Sequence, residues 1–344
     1  MARGSRWFAV GVAVLVVVVA ATALVLRSRL RCAGFAGPGV TAEELPTAPE
    51  PGRLRLATFN LRSFPLAAPA AAGDAGHSPL TNICDLEDAL GGLGFDLAGF
   101  AEVADTRRFP PILKRATDPR RLGLLIAPRG GRSGQRVALA WDQAVLEAIG
   151  EPQLLEGLEV DADARPGLAL TLAPSSGGPV LTVAQVHLAD GPAGLAARRR
   201  QVAALVQWLE GVAGAVVVMG DFNPVGGDEL AAAVELAELD RAFAALGLER
   251  LGNATGCTAY LEAPDREPGE LVPALLDLVY SRGLESRLVG PARSWLHCAR
   301  AACGPLQSGP GFEDGTFHDV SDHCPVTFEL GLAGPAGPPP AGPV

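Results

Sequence analysis

Five apolar residues, Ala215 to Met219, run directly into Gly220-Asp221-Phe222-Asn223-Pro224. Much later, Ser321-Asp322-His323-Cys324-Pro325 runs into an apolar stretch that starts at Val326. The first pattern is a strand ending in a carboxylate and an amide two residues apart. The second sets a carboxylate beside an imidazole at the head of another strand. Carboxylate, amide and imidazole aimed at one spot can orient a water, hold a hard cation and stabilise charge on a phosphoryl group. Metal-assisted attack on a phosphate ester is the chemistry this combination suits.

Four further stretches share the layout of an apolar run and a polar group. Asn60 ends Leu56-Ala57-Thr58-Phe59, Glu102 follows Leu97-Ala98-Gly99-Phe100-Ala101, and His187 ends Leu181 to Val186. Asp277 lies inside Leu275-Leu276-Asp277-Leu278-Val279-Tyr280, where a buried charge is costly unless paired. Taken singly, each reads as a turn residue, a solvated acid or a packed histidine. Their joint occurrence gives the reading its weight. His77, His297 and His318 match none of these positions and read as surface or loop residues, His318 being the one near Asp322.

These groups need strands to aim them. Alternating or apolar runs predict strands over 54–60, 95–100, 122–127, 137–141, 168–172, 180–186, 215–219, 275–280 and 326–330. Helices are predicted over about 81–91, 193–210 and 228–246, the last in one or two pieces. In the second, Leu195, Val202, Leu205, Val206 and Leu209 share a face while Arg198, Arg199 and Glu210 can reach water. The mixture is α/β with more strand than a doubly wound fold needs. Two sheets packed face to face and flanked by helices would accommodate it.

Composition limits the function classes. Lys114 is the single lysine among 28 basic residues, so mechanisms needing several catalytic lysines are excluded. No Gly-x-x-x-x-Gly-Lys-Ser/Thr loop occurs, which argues against a nucleotide-triphosphate motor. Residues 7–26 carry no charge and are flanked by Arg3 and Arg6 on one side and Arg27, Arg29 and Arg31 on the other. At about 1.5 Å per residue such a helix spans roughly the apolar thickness of a bilayer. Residues 1–31 are therefore expected to be a signal-anchor or a signal peptide cleaved near Ala21-Thr22-Ala23. Basic flanks on both sides leave the orientation open. The expected organisation continues with a flexible linker over 32–52, one catalytic domain over 53–332 and a Pro/Gly-rich disordered tail over 333–344.

Beyond residue 31 the chain has 23 basic against 38 acidic residues. A body of that sign has no broad attraction for polyanions but suits a site holding divalent cations. No Cys-x-x-Cys pair occurs among the 6 cysteines. Cys298 and Cys303, close together in a Gly/Pro-containing loop, are expected to form a local disulfide if the domain is exported, and to be free thiols otherwise. Cys324 is expected to pack as a small buried hydrophobe. An oxidising home for that disulfide favours an extracytoplasmic domain, membrane-anchored or secreted after cleavage.

In their order and motifs (Thr-Phe-Asn-Leu, Ala-Glu-Val, Val-His-Leu, Gly-Asp-Phe-Asn, Ser-Asp-His-Cys-Pro-Val), residues 53–330 resemble the endonuclease/exonuclease/phosphatase superfamily. Arg198 and Gln201 also match its Arg-x-x-Gln helix, the arginine being expected to be structural or to hold the Asp-Phe-Asn loop. The resemblance implies a four-layer α/β/β/α sandwich of two packed mixed sheets, with the site at one end. It implies Asn60 and Glu102 as the metal-binding pair, with Asp322 as support, for Mg²⁺ and with Mn²⁺ tolerated. It implies Asp221 as the group that orients or deprotonates the attacking water, and Asn223 as a donor to the phosphate. His323 is implied to face the phosphorus with Asp277 fixing its tautomer, and His187 to contact the phosphate or the leaving oxygen. The chain departs from many relatives in lacking a basic residue just before Asp277 and in having Ala101 where they carry Gln.

The expected substrate is a phosphate ester, with nucleic acid favoured. Arg107 and Arg108, and the loop holding Arg129, Arg132 and Arg136, are the groups that could meet a phosphate backbone. A sphingomyelinase-like or inositol-phosphate activity is the alternative, and a catalytically silent binding module the third. No protein partner is inferable.

Overall fold

The computed structural model describes residues 39–65, 80–225, 229–262, 269–307 and 315–332. The segment 7–26, His77, Cys32 and the tail 333–344 lie outside them. Among the described residues no helix is long and apolar enough to cross a membrane.

The strands, in chain order, are β1 (Arg53–Phe64), β2 (Leu97–Val103), β3 (Leu122–Ile126), β4 (Arg136–Asp142), β5 (Leu146–Ala148), β6 (Gln153–Leu155), β7 (Gly167–Pro174) and β8 (Leu181–His187). They continue as β9 (Ala215–Asp221), β10 (Glu249–Arg250), β11 (Ala259–Glu262), β12 (Glu270–Ala274), β13 (Asp277–Arg282), β14 (Arg293–Ser294), β15 (Leu306–Gln307) and β16 (Val326–Gly331). The described helices are α1 (Ile83–Gly92), α2 (Phe109–Ala116), α3 (Leu195–Glu210), α4 (Glu229–Ala244), α5 (His297–Arg300) and α6 (Gly315–Asp319).

Two mixed sheets form the centre, one in the order β14-β16-β1-β2-β4-β3 and the other β10-β13-β9-β8-β7-β5, with β6 beside β7. A small third sheet, β11-β12-β15, stands apart from them. Side chains alternate across each strand, so every inner face is built from every second residue. Leu54 and Leu56 on β1, Leu181 and Val183 on β8, and Val217 and Met219 on β9 fill the layer between the sheets. The opposite faces bury Phe59 and Phe100 among Leu86, Leu90, Phe109 and Leu113 of α1 and α2, and Val216 and Val218 among Leu205, Leu209 and Phe243 of α3 and α4. Helices, sheet, sheet, helices is the predicted four-layer α/β/β/α sandwich.

β1 and β2 run parallel, as do β8 and β9, so all four end at the same edge. β13 is antiparallel to β9, and β16 to β1, so these two begin at that edge. Register then sets the neighbours: His187 pairs with Asp221, and Asp221 with Asp277. At Gly220, φ is +135° and an added Cβ would lie 2.0 Å from the Val186 carbonyl oxygen. Only glycine lets β9 pass β8 that closely while keeping the register.

Several expectations change. Asp277 opens β13 rather than sitting inside it, because Thr258 Oγ1 accepts the N–H groups of Leu276 and Asp277 at 2.9 and 2.8 Å. The last helix of the predicted trio is a single piece, Glu229–Ala244. Helix α2 is not among the predicted helices; Pro110 and Pro111 sit in its first turn, where they replace N–H groups that would have no partner anyway. Residues 40–52 are not wholly a tether. Val40 and Leu45 pack against the first helical layer, Leu296 N–H donates to Glu44 O at 2.9 Å, and Arg300 pairs with Glu44 at 2.7 Å.

The cysteines also pair differently. Cys298 bonds Cys324, and Cys257 bonds Cys303. Cys298 and Cys303 thus staple the α5 segment to two different chain segments instead of closing a local loop, and Cys324 is half of a disulfide rather than a free buried thiol. Cys84 is disulfide-bonded as well. His297, expected at the surface, is fully buried with Nε2 3.1 Å from Cys324 Sγ.

Candidate active site

At the shared edge the inner faces turn polar. One step beyond Leu56 and Thr58 on β1 comes Asn60; beyond Val183 and Gln185 on β8 comes His187; beyond Val217 and Met219 on β9 comes Asp221. The same alternation that builds the apolar layer therefore aims these side chains at one another. Asn60 Nδ2 donates to Asp221 Oδ2 at 2.9 Å and to Glu102 Oε1 at 3.1 Å, and lies 3.5 Å from His323 Nε2. His187 Nε2 lies 3.5 Å from Asp221 Oδ2 and 3.7 Å from Glu102 Oε1. His323 Nδ1 meets Asp277 Oδ2 at 2.7 Å, and its Nε2 is 3.8 Å from Asp221 Oδ2.

Local backbone holds each group. Glu102 has φ +60° at the point where the β1–β2 and β2–β4 registers shift, so an irregularity turns its side chain to the edge. Its Oε2 accepts from Ser63 N–H at 2.6 Å, Ser63 Oγ at 3.0 Å and Gln135 Nε2 at 2.7 Å. That leaves Oε1 facing the cluster. Asp221 Oδ1 accepts the Asn223 N–H at 2.9 Å, and Asn223, at φ +50°, sends Nδ2 toward Leu188 O at 3.4 Å. Ser321 Oγ donates to Asn60 O at 2.8 Å and accepts the His323 N–H at 3.1 Å, tying the last loop to β1.

Burial sets the electrostatics. Desolvation, with Asp277 and Glu102 nearby, pushes the Asp221 carboxyl up to about 7, against the opposing pull of His323 and the Asn60 amide. His323 is pulled down by burial, but the carboxylates of Asp277 and Asp221 outweigh it and hold the imidazole well above its ordinary range. His187 goes the other way: burial first, then the positive charges of Arg165 and His323, keep it neutral. Its Nδ1 is buried without a hydrogen-bond partner.

Seven of the eight residues expected at the site come together here. Asp322 stands aside, with Oδ2 3.5 Å from Arg62 Nε, and Arg62 also donates to Phe317 O at 3.2 Å. The Arg-x-x-Gln helix braces the loop after β8: Arg198 donates to Ala189 O, Gly191 O and both oxygens of Glu235, and Gln201 Oε1 accepts the Ala189 N–H at 2.8 Å. It is structural, and holds this loop rather than Asp-Phe-Asn. Ser63, Gln135 and Arg165 were missed, because polar residues on irregular backbone carry no periodic signal.

The donor set fits a hard divalent cation. Ligand atoms of Glu102, His187 and Asp221 lie within 4.8 Å of one another, as do those of Asp221, Asp277 and His323. Glu102 turns one oxygen, Oε1, inward near the Asp221 carboxylate and the neutral His187 ring, and such oxygen ligands suit a hard divalent cation.

No protein-family model matches the sequence, and no curated protein matches it. Solved structures do match by shape. The endonuclease/exonuclease/phosphatase from Bacteroides vulgatus superposes with a TM-score of 0.53 at 15% identity, covering 82% of this chain and 99% of its own. The human Nocturnin catalytic domain with bound sulfate gives 0.55 at 16%, covering 86% of this chain and 100% of its own. D. rerio TDP2 complexed with single-strand DNA product gives 0.51 at 14%, covering 81% and 98%. By fold, this chain is an endonuclease/exonuclease/phosphatase-type sandwich with its polar cluster at the shared strand edge.

Proposed function

We propose that the protein is a metal-dependent phosphodiester hydrolase. The convergence of Asn60, Glu102, His187, Asp221 and the Asp277–His323 pair at one strand edge carries this reading. Glu102 and Asn60 would hold Mg²⁺, or Mn²⁺, through their side-chain oxygens. When bound, the cation supplies Lewis acidity toward a phosphoryl oxygen. Asp221 accepts a proton from the attacking water and orients it; a carboxyl poised near neutrality suits that role. His323, kept cationic by Asp277, donates toward the phosphoryl oxygen where negative charge develops. Neutral His187 can donate an N–H hydrogen bond to the phosphate or to the leaving oxygen without giving up its proton, and Asn223 can donate to a non-bridging oxygen.

Nucleic acid is the substrate class favoured here, bound over a short segment. Nocturnin and TDP2 are neighbours by fold, and the TDP2 structure holds a single-strand DNA product. A second reading, a phospholipid or small phosphodiester, draws on the loop arginines. Arg129 pairs with Glu156 and Glu159, and Arg132 with Asp163, so part of that loop's charge is met within the chain.

The test compares the parent protein with Asp221→Ala and His323→Ala on plasmid DNA and on sphingomyelin, in Mg²⁺ and in EDTA. The expected result is Mg²⁺-dependent cleavage of DNA that both variants lose. Unchanged cleavage in the variants would remove the mechanism, and lipid cleavage without DNA cleavage would move the substrate to the second reading. No metal-dependent activity on either would favour a binding module.

A further inference from the structure

Three arginines are buried among the described residues: Arg55, Arg165 and Arg198. Two are saturated. Arg55 donates to Glu329, Leu93 O and Thr47 O, and Arg198 to Glu235, Ala189 O and Gly191 O. A guanidinium has five N–H donors and keeps its charge at any pH, so a buried one needs an acid or several carbonyls. Arg165 is 3% exposed, yet among the described residues its single hydrogen bond runs from Nη1 to Gln135 Oε1, and its Nε is buried with no partner. Among the described residues no carboxylate pairs with it.

The surrounding loops place this unspent cation beside the site. Asp161 Oδ1 accepts the N–H groups of Asp163 and Ala164, forming the turn that presents Arg165 just before β7. The loop before β4 closes onto that turn. Arg132 N–H donates to Ala162 O at 3.0 Å, and at Gly131 a Cβ would lie 2.5 Å from Asp163 O. The closure brings Gln135 between two charges. Its Nε2 donates to Glu102 Oε2 at 2.7 Å and Ser63 Oγ at 2.6 Å, while its Oε1 accepts from Arg165. Flipping that amide would set NH₂ against the guanidinium, so the orientation is fixed by chemistry. The acid nearest along this chain of bonds, Glu102, already spends that oxygen on Ser63 and Gln135. The arginine is held one side chain from Glu102 without being neutralised.

We propose that Arg165 is the anion-binding group of this site, gripping a phosphate oxygen of the substrate beside Gln135 on the Glu102 side of the cluster. The proposal rests on the phosphoester reading for its ligand, and on the unpaired buried guanidinium for its place. A planar fork with open donors matches two oxygens of one phosphate. Substrate binding then supplies the counter-charge that the fold withholds. This gives a chain with a net acidic body one local means of capturing an anion.

The probe is inorganic phosphate, titrated in Mg²⁺ into the full chain and into R165Q and R165K, with calorimetry and thermal melting as readouts. Wild-type protein should bind phosphate and melt higher in its presence. R165Q should bind about 10- to 100-fold more weakly, the loss expected for charge-assisted hydrogen bonds. R165K, which keeps the charge and loses the fork, should fall between. Without phosphate, R165Q should melt no lower than wild type, because it removes an uncompensated charge; a purely structural arginine would give a lower melt and unaltered phosphate affinity. Equal phosphate affinity in wild type and R165Q, or no phosphate binding by wild type, overturns the proposal. If R165Q does not fold, R165K decides, and wild-type affinity in it overturns the fork. Binding is read without turnover. A protein that binds phosphate through Arg165 but hydrolyses no ester would retire the phosphoesterase reading alone.

Discussion

The layer between the two sheets has an apolar end and a polar end, built by the same strands with the same alternation. On β1 the inner residues run Leu54, Leu56, Thr58, Asn60; on β8 they run Leu181, Val183, Gln185, His187. At the first end, removing water stabilises, because only hydrocarbon is buried. At the second, it drives Asp221 up to about 7 and leaves Gln185 Nε2 and His187 Nδ1 without partners. Thr58 and Gln185 mark the change, with Thr58 Oγ1 3.2 Å from Gln185 Oε1 and Gly99 leaving room for that amide. The lesson is that one register makes both a core and a site. The first end supports the cost of the second.

The sharpest way to break the comparison is to exchange the effects of the two ends. Asp221→Ala should lower metal-dependent turnover by about 10²–10⁴-fold, measured as kcat on the best substrate, with little loss of stability. His323→Gln should cost about 10²–10³-fold in kcat. At the apolar end, Leu56→Ala should cost about 2–5 kcal/mol in urea unfolding while turnover per folded molecule stays at the parental value. If Leu56→Ala abolished turnover in folded protein, the two ends would not be separable.

Charge at the polar end also sets a pH dependence. The folded-state carboxyl of Asp221 is raised above its ordinary 3.8 to about 7. Between those values the native state holds more protons than the unfolded chain, so stability in EDTA should fall as pH rises through that window. Asp221→Asn should flatten the fall in denaturant melts at pH 5 and 8. A steeper fall in the variant would assign the effect elsewhere.

The disulfides extend the comparison to the loops. Thr258 holds the start of β13, and Thr258 O accepts the Cys324 N–H at 2.7 Å. Cys257–Cys303 and Cys298–Cys324 therefore brace the loops carrying Asp277 and His323. Reduction should cost about 2–4 kcal/mol per bridge and lower kcat before it unfolds the apolar end. Hydrogen exchange would show it: protection lost first in β7 would contradict it. The smallest effect belongs to Glu329. Burial pushes its carboxyl up, but bonds from Arg55 and Arg53 hold it below its ordinary value. That stability is present above the unfolded pKa and is lost as pH falls through the depressed folded one, so Glu329→Gln should remove a small part of the acid limb of the stability curve.

Much of this was legible in the chain. The long strands of the two central sheets announce themselves by apolar runs, and Asn60, Glu102, His187 and Asp221 stand where such runs end; β11 and β12, the latter interrupted by Pro273, were not predicted. Strands of two or three residues, such as β10, β14 and β15, have no period to read. The cross-pairing of Cys257 and Cys298 with Cys303 and Cys324 depends on which loops meet, and spacing favoured the wrong partner.

The sequence by itself determined the α/β class, the polar groups that could do chemistry and their order, because side-chain identity and period-two alternation are local properties. Tertiary structure alone decided that Asp322 pairs with Arg62, that Gln135 and Arg165 stand behind Glu102, and which carboxyl is pushed toward neutrality. Those facts depend on loop closure, burial and distances between groups far apart in the chain, and no local pattern encodes them.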